Sequence, residues 1–296
     1  MHLLDLDRAG VLALGDFIAR HNAAPERHVA SLADAPQAVR EEVAGFGDDE
    51  FRACAAYDGA EPAGIFLAEY DRELARAWLK GPIVAADDPA AWRTLAAALL
   101  QRIETLLPAG IDQVQLFFDE RALLLADFAR EHGFVARPYA SLSMALSVPT
   151  VERSLREAVV VLPRDLRADF ATLHEATFPG AYFTSERLVE SRDPRRWLFV
   201  HRAGASLSGY ICGSVSAQLR EAYVDFLGVR EASRRKGVGA VLLLGAASEL
   251  RAQHGIESLR LTVRSTDDPA VGLYAKLGMR TLRSMRAFER ARRHPC

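Results

Sequence analysis

The residues with the most chemistry in this chain are Arg234, Arg235, Lys236, Gly237, Val238 and Gly239. Three cations stand directly before a Gly-x-Gly, and an apolar, helix-like segment starts at the same place and runs over 237–253. The first turn of a helix leaves about four backbone N–H groups unpaired and carries a partial positive charge. Glycines there keep Cβ atoms away from an approaching anion. The neighbouring guanidinium and ammonium groups add charge-assisted hydrogen bonds to phosphate oxygens. A pyrophosphate suits such a junction. Other phosphate loops fit less well: no Lys-Ser/Thr pair follows the glycines, and one Gly-x-Gly falls short of the dinucleotide fingerprint. On these residues alone, a solvated charge run beside a glycine turn stays open.

Two further groups can handle protons. Tyr274 lies in Leu273-Tyr274-Ala275-Lys276-Leu277-Gly278-Met279, and Asp225 lies in the apolar segment ahead of the cations. A hydroxyl can donate to a departing group, and a carboxylate can relieve an amine of its proton. Each has a plainer reading, Tyr274 as a core aromatic and Asp225 as a solvent-facing strand charge. His174 and Glu175 find no third ligand for a metal and read as solvent-facing helix residues. The aromatics that follow, Phe178, Tyr182 and Phe183, are either walls of an acceptor pocket or anchors onto the core. No Ser-His-Asp or Cys-His constellation is present, so no covalent acyl-enzyme is expected.

Positioning these groups takes a strand, a loop and a helix, and the chain supplies that order twice. The first half reads as helices over 11–21 and 38–46 and strands over 51–57, 64–70 and 75–84. A long helix opens at Asp88-Pro89 and runs to 107, followed by strand 114–118, helix 122–131 and strand 134–146. The second half reads as strand 158–162, helices 166–176 and 185–192, and strands 197–201, 208–217 and 223–229. Helix 237–253, strand 259–263, helix 268–277 and strand 279–288 complete it. The endings FAREHGFVARPYASLSMAL and LYAKLGMRTLRSMRAFER are alike. Duplication of one α+β unit explains the repeat, with domains 1–148 and 156–296 and a linker over 147–157.

In context, R-x-x-G-x-G after a strand, followed by the Leu273–Met279 motif, resembles the GCN5-related N-acetyltransferase (GNAT) superfamily over about 159–290. The resemblance implies two tandem GNAT-like domains, each a mixed, mostly antiparallel sheet flanked by helices. It implies acetyl-CoA as cosubstrate, with Arg234, Arg235, Lys236, Gly237, Val238, Gly239 and Ala240 cradling the pyrophosphate. Leu227 and Val229 would bond the pantetheine through their main chains, and Tyr274 would protonate the leaving thiolate. Asp267 stands where relatives often carry asparagine, which leaves that cofactor contact in doubt. The implied reaction is N-acetylation of a primary amine, a small molecule ahead of a protein N-terminus or lysine, by direct transfer in a ternary complex with no metal. A non-catalytic acyl-CoA-binding module and an inert interaction protein are the competing readings.

Aligning 78–84 with 223–229 puts Pro89 opposite Arg234, Trp92 and Thr94 opposite Gly237 and Gly239, and Ala129 opposite Tyr274. The first half therefore reads as a degenerate copy.

Composition is consistent with this reading and narrows it. The 296 residues are 50% hydrophobic and 26% charged, with net charge −2. That balance gives no reason to invoke nucleic acid or an anionic membrane. Cys54, Cys212 and Cys296 are too few and too scattered for a disulfide framework; the first two read as small buried hydrophobes. The start of the chain lacks a signal-peptide pattern, so a cytoplasmic protein, monomer or homodimer, is expected.

Overall fold

The computed structural model describes residues 1–30, 32–149, 153–204 and 206–292; Cys296 and part of the expected linker lie outside them. They fall into two compact units, Met1–Ser141 with residues 284–292, and Leu142–Arg283.

The first unit contains β1 (His2–Leu6), α1 (Arg8–Ala13), α2 (Gly15–Asn22), α3 (Pro36–Ala44), β2 (Phe51–Asp58), β3 (Glu61–Asp71), β4 (Arg76–Val84), α4 (Pro89–Leu106), β5 (Gln113–Asp119), α5 (Leu123–Glu131) and the start of β6 (Val135–Ser147). Strands β1 to β5 lie in sequence order; all pairs are antiparallel except β4 and β5. Helix α4 packs on β2, β3 and β4, with Leu95, Leu99 and Ile103 buried in the core of the unit. Strand β1 escapes sequence reading because its residues are almost all exposed, leaving no alternation to follow. The helix expected over 11–21 is two helices: Asp7 caps the first by accepting from the Gly10 N–H at 2.8 Å, and the break falls at Leu14.

The second unit continues with the rest of β6, α6 (Arg153–Glu157), β7 (Val160–Val161), α7 (Arg167–Thr177), α8 (Ser185–Glu190), β8 (Arg196–Ala203), β9 (Ser206–Ser216), β10 (Glu221–Val229), α9 (Val238–His254), β11 (Ser258–Arg264), α10 (Asp268–Lys276) and the start of β12 (Arg280–Ala291). Strands β7 to β11 run in sequence order, with β10 and β11 parallel. One face of the sheet packs against α9 through Leu242, Leu243 and Ala246; the other carries Phe170, Leu173, Tyr210 and Phe226. The α+β architecture expected from the pattern holds in both units. Cys54 and Cys212 are buried as expected, and burial pushes the Cys54 thiol up to about 12.

Two boundaries differ from expectation. The expected linker ends in helix α6, whose Leu155 carbonyl approaches α9 at Gly245 closely enough to leave no room for a Cβ. The expected C-terminal domain, 156–296, loses its end to the first unit: Met285–Ala291 pair antiparallel with β5, Met285 opposite Asp119 and Ala291 opposite Gln113. The bonds Arg286 to Glu120 and Arg137 to Glu289 lock that segment inside the first unit. Both halves end in similar alternating strands, so the sequence does not say which ending pairs with β5.

Strand β10 positions the site. Its ladder to β9 shifts between Val224 and Phe226, a bulge that leaves Asp225 without an opposite residue; bulges of this kind re-aim a side chain. Its parallel ladder to β11 ends at Val224 opposite Leu261. Beyond that point Phe226–Val229 pair with β9 on one side, and among the described residues no strand pairs with them on the β11 side.

Candidate functional site

Helix α9 starts at the end of β10 without a side-chain cap. Gly237, its N-cap, has φ +82°, and Arg235 also has positive φ, +59°. Left-handed backbone on either side of Lys236 turns successive N–H groups toward one concavity, a geometry that binds anions. A non-glycine residue with positive φ costs about 1–3 kcal/mol and persists where something else requires it. A Cβ on Gly237 would meet no atom within 4 Å; the space in front of the helix is open. Arg234, Arg235 and Lys236 are exposed, and Arg234 donates to the Val229 carbonyl at 3.2 Å, tying the loop to the strand end.

The two glycines have different jobs. A Cβ on Gly239 would come within 2.9 Å of Leu273 Cδ2 and 3.9 Å of Leu227 and Val229 side-chain atoms. Gly239 therefore lets α9 approach α10 and β10, whereas Gly237 alone faces open space. Val238 is buried, and Ala240 continues the first turn.

That close approach brings α10 alongside the cradle. Tyr274 is 7% exposed, and burial first, then the nearby Asp267 carboxylate, pushes its phenol up to about 12. Among the described residues its hydroxyl has no hydrogen-bond partner. Asp267 is the N-cap of α10, accepting from the Ala270 N–H at 3.2 Å, so its carboxylate already serves a helix end.

Asp225 does not face solvent. Its side chain, 9% exposed, is ion-paired with Arg196 and accepts from the Tyr182 hydroxyl at 2.9 Å. Burial pushes its pKa up, against the pull of Arg196 and Tyr182. Among the described residues no hydrogen bond joins Asp225 to Tyr274. The Arg196 guanidinium also lies 4.0 Å from the centre of the Phe183 ring. Sequence reasoning missed Arg196, which sits in the charged run Arg192 to Arg196 with nothing to set it apart.

The expectation for His174 is overturned. It is 0% exposed, with Nδ1 2.6 Å from the Tyr210 hydroxyl and Nε2 2.9 Å from the Phe183 carbonyl oxygen. Phe170, Phe178, Tyr210 and Phe226 surround its ring. Its position in the last turn of α7 does not distinguish an inward from an outward face. Glu175 is exposed and accepts from the Ser185 N–H at 3.2 Å.

The corresponding place in the first unit is closed. Asp88 caps α4, its carboxylate accepting from the Ala91 N–H at 2.7 Å. The protein's own anion thus occupies the helix start, where it repels a phosphate. Trp92 is 3% exposed and packs edge-on against Phe128 at 5.5 Å. The cavity beside it, lined by Ile83, Val84, Leu124 and Leu125, holds about 10 Å³, no more than one water. Trp92→Ala should therefore cost about 3–5 kcal/mol of stability and leave coenzyme A affinity unchanged. Thermal melts and calorimetry check the two parts.

The chain is similar to known proteins in sequence and in fold. Residues 164–279 match the profile of the acetyltransferase (GNAT) family. An N-alpha-acetyltransferase of Sulfurisphaera tokodaii is 26% identical over 117 residues, covering 36% of this chain and 68% of that one. A GCN5-related N-acetyltransferase from Sphaerobacter thermophilus has a TM-score of 0.69 at 19% identity, covering 99% of this chain and 97% of its own. A tandem GNAT protein from the clavulanic acid biosynthesis pathway has a TM-score of 0.71 at 14% identity, covering 100% and 99%. At these identities the structural likeness speaks to fold, and the family profile speaks to the second unit. No helix among the described residues is long and apolar enough to cross a membrane. Residues 164–279 thus match the acetyltransferase (GNAT) family, and the fold of the whole chain is like that of a tandem GNAT protein.

Proposed function

We propose that the second unit is an acetyl-CoA-dependent N-acetyltransferase acting on a primary amine, in the first instance a small molecule, by direct transfer in a ternary complex. The carrying observation is the start of α9 without a side-chain cap, with positive φ at Arg235 and Gly237 and no described atom within 4 Å of where a Cβ on Gly237 would stand. The residues fit the group: N–H groups from Gly237 to Ala240 would hold the pyrophosphate, and Arg235 and Lys236 would add charge. The unpaired side of β10 at Leu227 and Val229 would receive the pantetheine amides. When bound, acetyl-CoA supplies an acyl group activated as a thioester.

The remaining steps belong to this chain's own residues. A neutral amine is needed for attack, and Asp225, with its pKa raised by burial, is the carboxylate we assign to receive the proton, directly or through water. Tyr274 donates a hydrogen bond to the sulfur as the carbon–sulfur bond breaks. A thiol of ordinary pKa, ~8.5, is more acidic than this phenol, so full transfer from Tyr274 is uphill; hydrogen-bond donation is what its environment favours. The proton lost by the amine nitrogen balances the one the thiol carries away.

The phenol acts in its protonated form, and a raised pKa extends that form upward in pH. Turnover should show no falling limb assignable to Tyr274 between about pH 8 and pH 10.5. A pH–rate profile checks this, and a fall near the ordinary tyrosine pKa would contradict it.

The S. tokodaii relative is named for acetylating α-amino groups, which makes a protein N-terminus the second acceptor to test. Thiol release from acetyl-CoA, measured with tyramine, lysine, kanamycin and a serine-initiated tetrapeptide, tests the proposal. Release that requires an amine supports it. Binding without release across the panel favours an acyl-CoA-sensing module, and no binding refutes both.

A further inference from the structure

We propose that His174 is a positioning residue for the acceptor side, a strut that holds residues 178–184 against the sheet so that Tyr182 stays on Asp225. The inference rests on the reading above, in which the amine meets the enzyme at Asp225.

The geometry places a hydrogen on one ring nitrogen. A carbonyl oxygen can only accept, so the Nε2 that lies 2.9 Å from the Phe183 oxygen carries the hydrogen. In the neutral ring Nδ1 is then an acceptor, and the Tyr210 hydroxyl donates to it at 2.6 Å. Tyr210 is fully buried in β9, and its ring packs edge-on against Phe170 at 4.8 Å. One imidazole therefore links a buried strand residue to the main chain of a loop. An aromatic core has no need of a histidine at this place; a phenylalanine would fill it without two hydrogen bonds to satisfy.

The linked segment bears directly on the bulge. Tyr182, next to the tethered carbonyl, donates to Asp225 Oδ1 at 2.9 Å and packs 5.3 Å from the Phe226 ring. Phe183 lies under Arg196, which pairs with the other carboxylate oxygen. Among the described residues no backbone hydrogen bond joins residues 179–183 to the sheet. Side-chain hydrogen bonds hold the segment through His174 and Tyr182, and Glu175 holds the Ser185 N–H just after it. A carboxylate has about four lone-pair sites, so with Tyr182 and Arg196 in place Asp225 still has room for an amine. Losing the strut lets Tyr182 drift and leaves the acceptor without its wall.

The test separates the two ends of the strut. Glutamine puts its amide nitrogen near the place of Nε2, and asparagine puts its amide near the place of Nδ1. His174→Asn should keep a partner for Tyr210 but lose the Phe183 tether, raising the acceptor KM about tenfold or more with little change in kcat. His174→Gln should recover most of that loss. Tyr182→Phe, at a residue 42% exposed and so safe for folding, should reproduce the rise. Combining it with His174→Asn should add little further. The acceptor is whichever of tyramine, lysine, kanamycin or the tetrapeptide is turned over fastest, and amide exchange of residues 178–184 is followed by mass spectrometry. Exchange there should quicken in His174→Asn and stay slow in His174→Gln. Equal exchange and equal KM in the two variants would overturn the strut while leaving acyl transfer intact. If the wild type binds coenzyme A but turns over no amine, the functional reading falls, and the exchange comparison alone decides the strut.

Discussion

Tyr274→Phe should lower kcat by about a hundredfold or more while coenzyme A affinity changes less than about twofold. A hydrogen-bond donor aimed at charge that develops in the transition state contributes ~10²–10³-fold to rate, and the Tyr274 hydroxyl has no other employment among the described residues. Its ring lies in the core of the second unit, and phenylalanine fills nearly the same volume, so the fold should be little disturbed. An interaction made only as the thiolate forms should lower kcat and kcat/KM together. Steady-state thiol release and calorimetry on one protein sample check both parts. A sensor that only binds the cofactor would lose nothing by this change.

Gly237→Val should raise the dissociation constant for coenzyme A about a hundredfold, equivalent to ~2.7 kcal/mol. Position 237 has φ +82°, a conformation a β-branched residue avoids at a cost of about 1–3 kcal/mol. Either the valine keeps that conformation and projects into the open space in front of the helix, or the loop relaxes and the N–H groups diverge. The cradle is lost in both cases, and since no protein atom lies within 4 Å of that Cβ, the core is spared. Gly239→Ala is not equivalent, because its Cβ would meet Leu273 at 2.9 Å and the loss would be one of packing. Calorimetry on the Gly237 variant, with melting temperature as the control for folding, checks the prediction.

Much of this site is legible in the sequence because its chemistry depends on local order. Arg234 to Gly239 need only a strand before them and a helix after them, and composition and periodicity supply both. The closed helix start of the first unit is legible in Trp92 for the same reason. What is not legible depends on pairing between distant residues. Asp225 reads as an exposed strand charge because nothing near it in sequence announces the bulge, Arg196 or Tyr182. His174 reads as a surface residue because its two partners, Tyr210 and Phe183, come from a different strand and from the loop after its own helix. The fate of β12 is hidden because two similar endings compete for β5, and strand pairing rather than sequence order decides between them.

The central claim is that a single anion cradle, at the start of α9, serves the whole chain. Titration calorimetry of the full chain with coenzyme A tests it most directly. One molecule bound per chain, with affinity falling as salt screens Arg235 and Lys236, is the predicted result. Two molecules per chain, or no binding, would contradict it.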